Sequence, residues 1–118
     1  MYIAIMGYGT VGSGVAEVIA NNHESIVKKS SQPELEVKYI LDLRDFPGDV
    51  NEKKMIKDFN IMLEDDEIEV VAEVVGGCTF AYDYTKKLLA RGKSVVTSNK
   101  ELVAQHGVNT HRNFHVVA

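Results

Sequence analysis

Short apolar runs alternate along this chain with stretches whose apolar positions recur every three or four residues. Tyr2–Met6 (YIAIM) is apolar, partly β-branched and stopped by Gly7, which predicts a buried strand. From Thr10 onward Val11, Val15, Val18, Ile19 and Ile26 fall at helical spacing, predicting a helix to about Lys29, whose basic last turn suits the negative end of the helix dipole. SSQPE breaks that pattern. VKYILD, residues 37–42, predicts a second strand, and DFPGD a turn built on its Pro-Gly pair. Asn60 is placed to cap a short helix running through Leu63. EVVAEVV, residues 69–75, predicts a third strand, its nearly continuous apolar run implying burial on both faces, and Gly76–Gly77 stop it. Ala81, Tyr84 and Leu88 share one face of a helix that ends at Gly92, a left-handed cap. SVVT (94–97) predicts a fourth strand, Glu101–Gln105 the start of a short helix ended by Gly107, and NFHVV a fifth strand.

Strands that alternate with helices build βαβ units, and parallel strands with right-handed crossovers follow. The expected fold is therefore α/β: a Rossmann-like, doubly wound, mostly parallel sheet with helices on both faces. The 118 residues suffice for one domain with a real core and are too few for two. A net charge of −4 removes any electrostatic reason to expect nucleic acid or an acidic membrane surface as partner. No apolar run approaches the roughly 20 residues of a membrane span. The lone cysteine, Cys78, cannot form an internal disulfide, which fits a reducing cytoplasm.

Four glycines fall within eight positions, Gly7 to Gly14 (GYGTVGSG), where the first strand gives way to the first helix. Gly7, Gly9 and Gly12 fit G-x-G-x-x-G: the first permits a tight turn, the second lets backbone approach a pyrophosphate, and the third lets helix pack on strand. N–H groups at the helix start, with the positive end of its dipole, would then face phosphate. Thr10 can add a hydroxyl and Val11 a backbone N–H. Gly14 completes no motif position. The alternative is a glycine-rich turn chosen for packing alone, but strand and helix both flank the motif, so a dinucleotide is the expected ligand.

The same motif expects an acid at the end of the second strand, to hold a ribose 2′-hydroxyl. Asp42 occupies that strand end, with more chain than usual between it and Gly12, and Arg44 follows two residues later. Aspartate there favours NAD, while arginine can pair with the 2′-phosphate of NADP. With both present the cofactor is NADP or NAD, the arginine inclining the reading toward NADP; an ion pair without ligand is the alternative.

The second half of the chain carries a more specific signal. EVVGG, residues 73–77, followed by ARGKSVVTSNKELVAQHG, residues 90–107, resembles the coenzyme-binding domain of homoserine dehydrogenase, whose hallmark is a GK-x-VVT-[AS]-NK stretch. The opening IAIMGYGTVGSGV resembles its phosphate loop, so the similarity runs from Ile3 to about Gly107. The resemblance implies an NAD(P)-dependent oxidoreductase that reduces L-aspartate 4-semialdehyde to L-homoserine in threonine, methionine and isoleucine biosynthesis. It further implies cofactor contacts from Tyr8, Thr10, Val11 and Lys100, with Thr97, Ser98 and Asn99 on the nicotinamide side and Gly76 and Gly77 beside the cofactor. Lys100 also stands just past a strand's carboxyl end, where a cation can polarise a carbonyl or position an anionic substrate. It is the candidate catalytic residue; a surface lysine opening a helix is the alternative.

Members of that family carry a further region that binds the semialdehyde, supplies the acid–base lysine and forms the homo-oligomer. This chain is expected to lack it and to bind cofactor without turnover. VNTHRNFHVVA departs from the helix that follows the family's "HG" pair. The other readings are a different nicotinamide dehydrogenase or a non-catalytic nucleotide-sensing module.

Four further features have bland explanations. Cys78 could attack an aldehyde as a thiolate, yet no neighbouring lysine or histidine in sequence would lower its pKa, so packing is preferred. His106, His111 and His115 would need a helix to share a metal, and NTHRNFH is a poor one, so no metal is expected. Asp65, Asp66 and Glu67 are expected in a solvated loop. Glu73 interrupts an apolar strand and must reach a partner or the cofactor cleft, with a structural pairing preferred.

Overall fold

The computed structural model describes residues 1–21, 36–75, 79–97 and 114–116. Among these, β1 (Tyr2–Met6) leads to α1 (Thr10–Asn21) and then β2 (Glu36–Leu41). A single 3₁₀ turn (Glu52–Lys54), β3 (Met55–Ile56) and α2 (Phe59–Glu64) follow. The chain continues through β4 (Ile68–Glu73), α3 (Thr79–Ala90), β5 (Ser94–Thr97) and β6 (Phe114–Val116). All strand pairs are parallel and the order is β3-β2-β1-β4-β5-β6, so the direction of winding reverses between β1 and β4.

The register makes the carboxyl ends of all six strands level. Met6 pairs with Leu41 on one side and Glu73 on the other, Leu41 with Ile56, Glu73 with Thr97, and Thr97 with Val116. Whatever follows these residues is delivered to one edge of the sheet, which is where such sheets place ligands.

The sheet separates two apolar cores, because successive strand residues face opposite ways. Ala4 and Met6 of β1 join Phe59 and Met62 of α2 and Leu88 of α3 on one face. Ile3 and Ile5 join Ala16 of α1 and Ile40 of β2 on the other. Helices thus cover both faces, as the alternation of elements predicts. Cores of this kind supply the main stabilisation, roughly 25 cal/mol per Å² of apolar surface buried.

Some boundaries and one role differ from the sequence reading. β4 ends at Glu73, two residues short of the expected Val75, and Asp42 lies just beyond β2 rather than within it. Asp58 caps α2, its carboxylate accepting from the Asn60 N–H at 3.0 Å, so Asn60 is the recipient of the cap rather than its source. The two-residue β3 was not foreseen, for Met55–Ile56 is too short to show any period. Described α1 ends at Asn21, and the expected continuation to Lys29 and the helix expected from Glu101 lie outside the described residues. α3 ends at Ala90 and Gly92 follows as its left-handed cap, with φ of +83° and its N–H donating to the Leu89 carbonyl at 3.0 Å. The last strand forms as expected, within NFHVV.

The acidic run at 65–67 is solvated at Asp66 and Glu67, which are exposed in a turn, but not at Asp65. Asp65 is a packing junction, not a solvated loop residue: Lys38 Nζ lies 2.6 Å from its carboxylate and the Tyr39 hydroxyl donates to it at 2.8 Å. Its carbonyl accepts from the Lys93 ammonium at 2.7 Å, and that ammonium also donates to the Ile68 carbonyl at 2.9 Å. Three segments distant in sequence meet there. Lys93 is itself buried, and burial pushes its pKa below the usual lysine range.

Candidate dinucleotide-binding site

The turn from β1 into α1 gives each motif glycine a different physical reason. Gly7 has φ of +100° and donates its N–H to the Leu41 carbonyl at 2.8 Å, tying the turn to β2 in a conformation L side chains rarely adopt. A Cβ on Gly12 would collide with the Gly7 carbonyl and stand 3.3 Å from Val74 Cγ2, so the helix start is packed directly on the strand exit. Gly9 has neither constraint. A Cβ there would meet only Arg44 Nη2, at 3.9 Å. Open space beside backbone is what a close-approaching phosphate requires. Thr10 and Val11 follow at the exposed first turn of α1, whose leading N–H groups have no acceptor within the helix.

Tyr8 stands between these glycines, but its side chain is buried rather than presented outward. Its backbone N–H donates to Asp42 Oδ2 at 2.9 Å, and its hydroxyl donates to Asp49 Oδ1 at 2.8 Å. The hydroxyl also accepts from the Asn51 side-chain amide at 3.1 Å, and the ring meets Phe46 edge to face with centroids 5.0 Å apart. Burial foremost raises the phenol's pKa.

Asp42 and Arg44 form a closed pair. Arg44 donates its Nη2–H to Asp42 Oδ2 at 2.8 Å, its Nε–H to Oδ1 at 3.1 Å and its backbone N–H to Oδ1 at 2.8 Å. The Asp42 side chain is 9% exposed and that of Arg44 64%. Hydrogen bonding from Arg44 holds the Asp42 carboxyl far below the usual carboxylate range, against the opposing effect of burial. The guanidinium also lies over the Phe46 ring at 5.2 Å.

A cavity of about 440 Å³ opens on this edge, lined by Gly7 and Gly9 after β1, Asp42 and Arg44 after β2, and Val74 and Val75 after β4. Lys57, directly after β3, completes a second basic contribution; its ammonium donates to the Leu43 carbonyl at 2.8 Å and pairs with Asp45 at 2.8 Å. Nothing in the sequence reading singled out Lys57, Phe46, Asp49 or Asn51. Lys57 would have been found only by recognising the two-residue strand before it.

Glu73 is fully buried and reaches a partner, as its place in an apolar strand demands. Its Oε1 accepts the Val75 N–H at 2.8 Å, and the Thr97 hydroxyl donates to Oε2 at 2.5 Å. The carboxylate thus joins the ends of β4 and β5, and Thr97 is buried with its hydroxyl turned to Glu73. Gly76, Gly77, Ser98, Asn99 and Lys100 lie outside the described residues, as do Cys78, His106 and His111. His115 is exposed on β6, and no group of three metal-ligating side chains occurs among the described residues. Nor is any described helix long and apolar enough to cross a membrane.

A family model described as "Homoserine dehydrogenase, NAD binding domain" matches residues 7–114. The homoserine dehydrogenase of Pseudomonas aeruginosa is 37% identical over 106 residues, covering 89% of this chain and 24% of the relative. That of Lactococcus lactis is 38% identical over 117 residues, covering 89% and 26%. Among solved structures, S. aureus homoserine dehydrogenase at pH 6.5 superposes with a TM-score of 0.78 at 27% identity, covering all of this chain and 32% of that one. The homoserine dehydrogenase from Thiobacillus denitrificans gives 0.77 at 30% identity, covering 91% and 25%. The chain spans about a quarter of the length of the curated relatives it matches.

Proposed function

The chain belongs to the NAD-binding-domain family of homoserine dehydrogenase, and from that premise we propose that it is the cofactor-holding part of an enzyme interconverting L-aspartate 4-semialdehyde and L-homoserine. The bound nicotinamide would carry the hydride. The residues of this chain hold and orient the dinucleotide, while the semialdehyde requires the further region that relatives possess. These residues are accordingly the cofactor-binding part of that enzyme.

The observation that carries the reading is the open backbone at Gly9, set between a positive-φ Gly7 and a close-packed Gly12 on the carboxyl edge of the sheet. The cavity beside it suits the group, with Gly7 and Gly9 of the turn and the carboxylate–guanidinium pair of Asp42 and Arg44 all lining it. Thr10 and Val11 supply amides to the pyrophosphate, and Asp42 and Arg44 meet the adenosine ribose. NADP is the favoured cofactor, since Arg44 and Lys57 bring two cations to the cavity where a 2′-phosphate would be met by charge-assisted hydrogen bonds. Lys100, with Thr97, Ser98 and Asn99, belongs to the nicotinamide side on the strength of the family motif.

Titration calorimetry of the chain with NADP and NAD, each at millimolar concentration, tests the reading. Heat of binding is expected for at least NADP; no heat for either would overturn it. For Lys100, replacement by alanine in a longer parent enzyme should lower kcat or raise KM, and unchanged kinetics would remove it from the site.

A further inference from the structure

Three parts of the segment after β2 are fastened to one residue of the phosphate loop. Asp42, at its start, accepts the Tyr8 N–H; Phe46, in its middle, packs edge-on against the Tyr8 ring; Asp49 and Asn51, at its end, share the Tyr8 hydroxyl. Asp49 also accepts the Asn51 N–H at 2.9 Å, closing that end into a compact turn. Arg44 lies between the first two fastenings, with Asp42 beneath its fork and Phe46 beneath its face. The guanidinium is mostly exposed, and a free arginine side chain there would lose substantial rotamer entropy on ordering. What limits its freedom is the pair of groups that Tyr8 holds in place.

We infer that Tyr8 is a positioning residue for cofactor discrimination: through Asp42, Phe46, Asp49 and Asn51 it fixes the Arg44-bearing segment against the phosphate loop, and so sets preference at the adenosine 2′ position. It does this without presenting its side chain to the ligand. The inference rests on the cofactor reading above and adds to it a division of labour, in which Gly9 and the helix start serve the pyrophosphate common to both cofactors. Tyr8 instead serves the group by which they differ. The two hydroxyl partners lie on the same segment as Arg44, more than forty residues from Tyr8 in sequence, so the hydroxyl ties that segment to the phosphate loop.

The test is the ratio of dissociation constants for NAD and NADP, measured by calorimetry on wild type and Tyr8→Phe, with the thermal midpoint of each protein. Loss of the hydroxyl's two hydrogen bonds is expected to bring the ratio toward one by about three- to tenfold, the size such bonds carry. Asn51→Ala, which leaves the Tyr8 ring in place, should move the ratio in the same direction and keeps the question answerable if Tyr8→Phe does not fold. An unmoved ratio, or equal weakening of both cofactors alongside a lower midpoint, would make Tyr8 a structural residue only and overturn the inference. So would a wild type that holds the two cofactors equally. A wild type that binds neither would instead bring down the cofactor reading itself.

Discussion

Arg44 spans both carboxylate oxygens of Asp42, its Nε 3.1 Å from one and its Nη2 2.8 Å from the other. Both oxygens therefore have donors, the second also receiving the Tyr8 N–H. A ribose diol seeking Asp42 must compete with Arg44, whereas a 2′-phosphate would draw Arg44 away from it. The Arg44 side chain is mostly exposed, so it is the partner free to turn toward a ligand, while Asp42 stays held by the Tyr8 and Arg44 backbone N–H groups. Arg44→Ala should weaken NADP by about tenfold or more, the loss of a charged hydrogen-bond partner. NAD should be unaffected or bound more tightly. Calorimetry with both cofactors decides it, and equal losses for both would place Arg44 away from the 2′ group.

Gly9 and Gly12 are three positions apart and should fail in different ways. A Cβ at Gly9 meets no backbone and only the movable end of Arg44, so with valine there the fold should persist with a thermal midpoint near wild type. Its side chain would occupy the space where phosphate must approach, and binding of either cofactor should be lost. Alanine at Gly12 runs into the Gly7 carbonyl, and neither the turn nor the helix start has room to yield. We expect destabilisation of about 1–3 kcal/mol, as for other overpacked sites, in chemical denaturation. A Gly9→Val protein that still binds, or a Gly12→Ala protein of unchanged stability, would refute the respective half.

The contrast shows which features were legible in sequence. Apolar period and glycine spacing act locally, so β1, α3, the Gly92 cap and the phosphate turn could all be read from a few adjacent residues. Asp42 and Arg44 were visible because the motif places an acid at the second strand's end. The fastening of Phe46, Asp49 and Asn51 to Tyr8 was not, because it depends on how a turn-rich segment folds back across a strand edge. Asp65 illustrates the same limit: three consecutive acids look like a solvated loop, and only the approach of Lys38, Tyr39 and Lys93 from other elements makes one of them a junction. β3 escaped notice because two residues carry no period.

Thr85, on α3, is fully buried and its Oγ1 has no hydrogen-bond partner among the described residues. A hydroxyl removed from water without compensation opposes folding, and valine has nearly the same shape and a similar helix propensity. Thr85→Val should therefore be neutral or stabilising by up to about 1 kcal/mol in urea denaturation. Destabilisation beyond that would reveal a partner for the hydroxyl.

Glu73 and Thr97 join the ends of β4 and β5, and both are buried. Thr97→Val removes the donor and leaves a buried carboxylate oxygen short of a hydrogen bond, which should cost about 1–3 kcal/mol. Replacing both partners, Glu73→Gln with Thr97→Val, should cost less than the sum of the two single changes, because one interaction is counted twice. Strict additivity in urea denaturation would mean that the pair does not hold the strand ends together.

The Asp65 junction makes stability depend on acid. The Lys38 ammonium, and after it the Tyr39 hydroxyl, lower the Asp65 carboxyl from its ordinary 3.8 to about 2. Since the folded-state pKa is the lower one, the unfolded chain takes up the proton first as pH falls. The contribution of Asp65 is thus complete above about pH 4 and disappears between about pH 4 and 2. Asp42 is held lower still by Arg44, so it adds to the same acid-side loss and extends it downward. Lys38→Met removes the leading cause of the Asp65 shift while leaving Asp42 and Arg44 untouched. Its urea midpoint should lie below that of wild type at neutral pH, and the gap should narrow as pH drops through this window. A gap that stays constant from pH 7 to pH 2.5 would mean that Lys38 stabilises through packing on Tyr2 and Tyr39 and not through its charge.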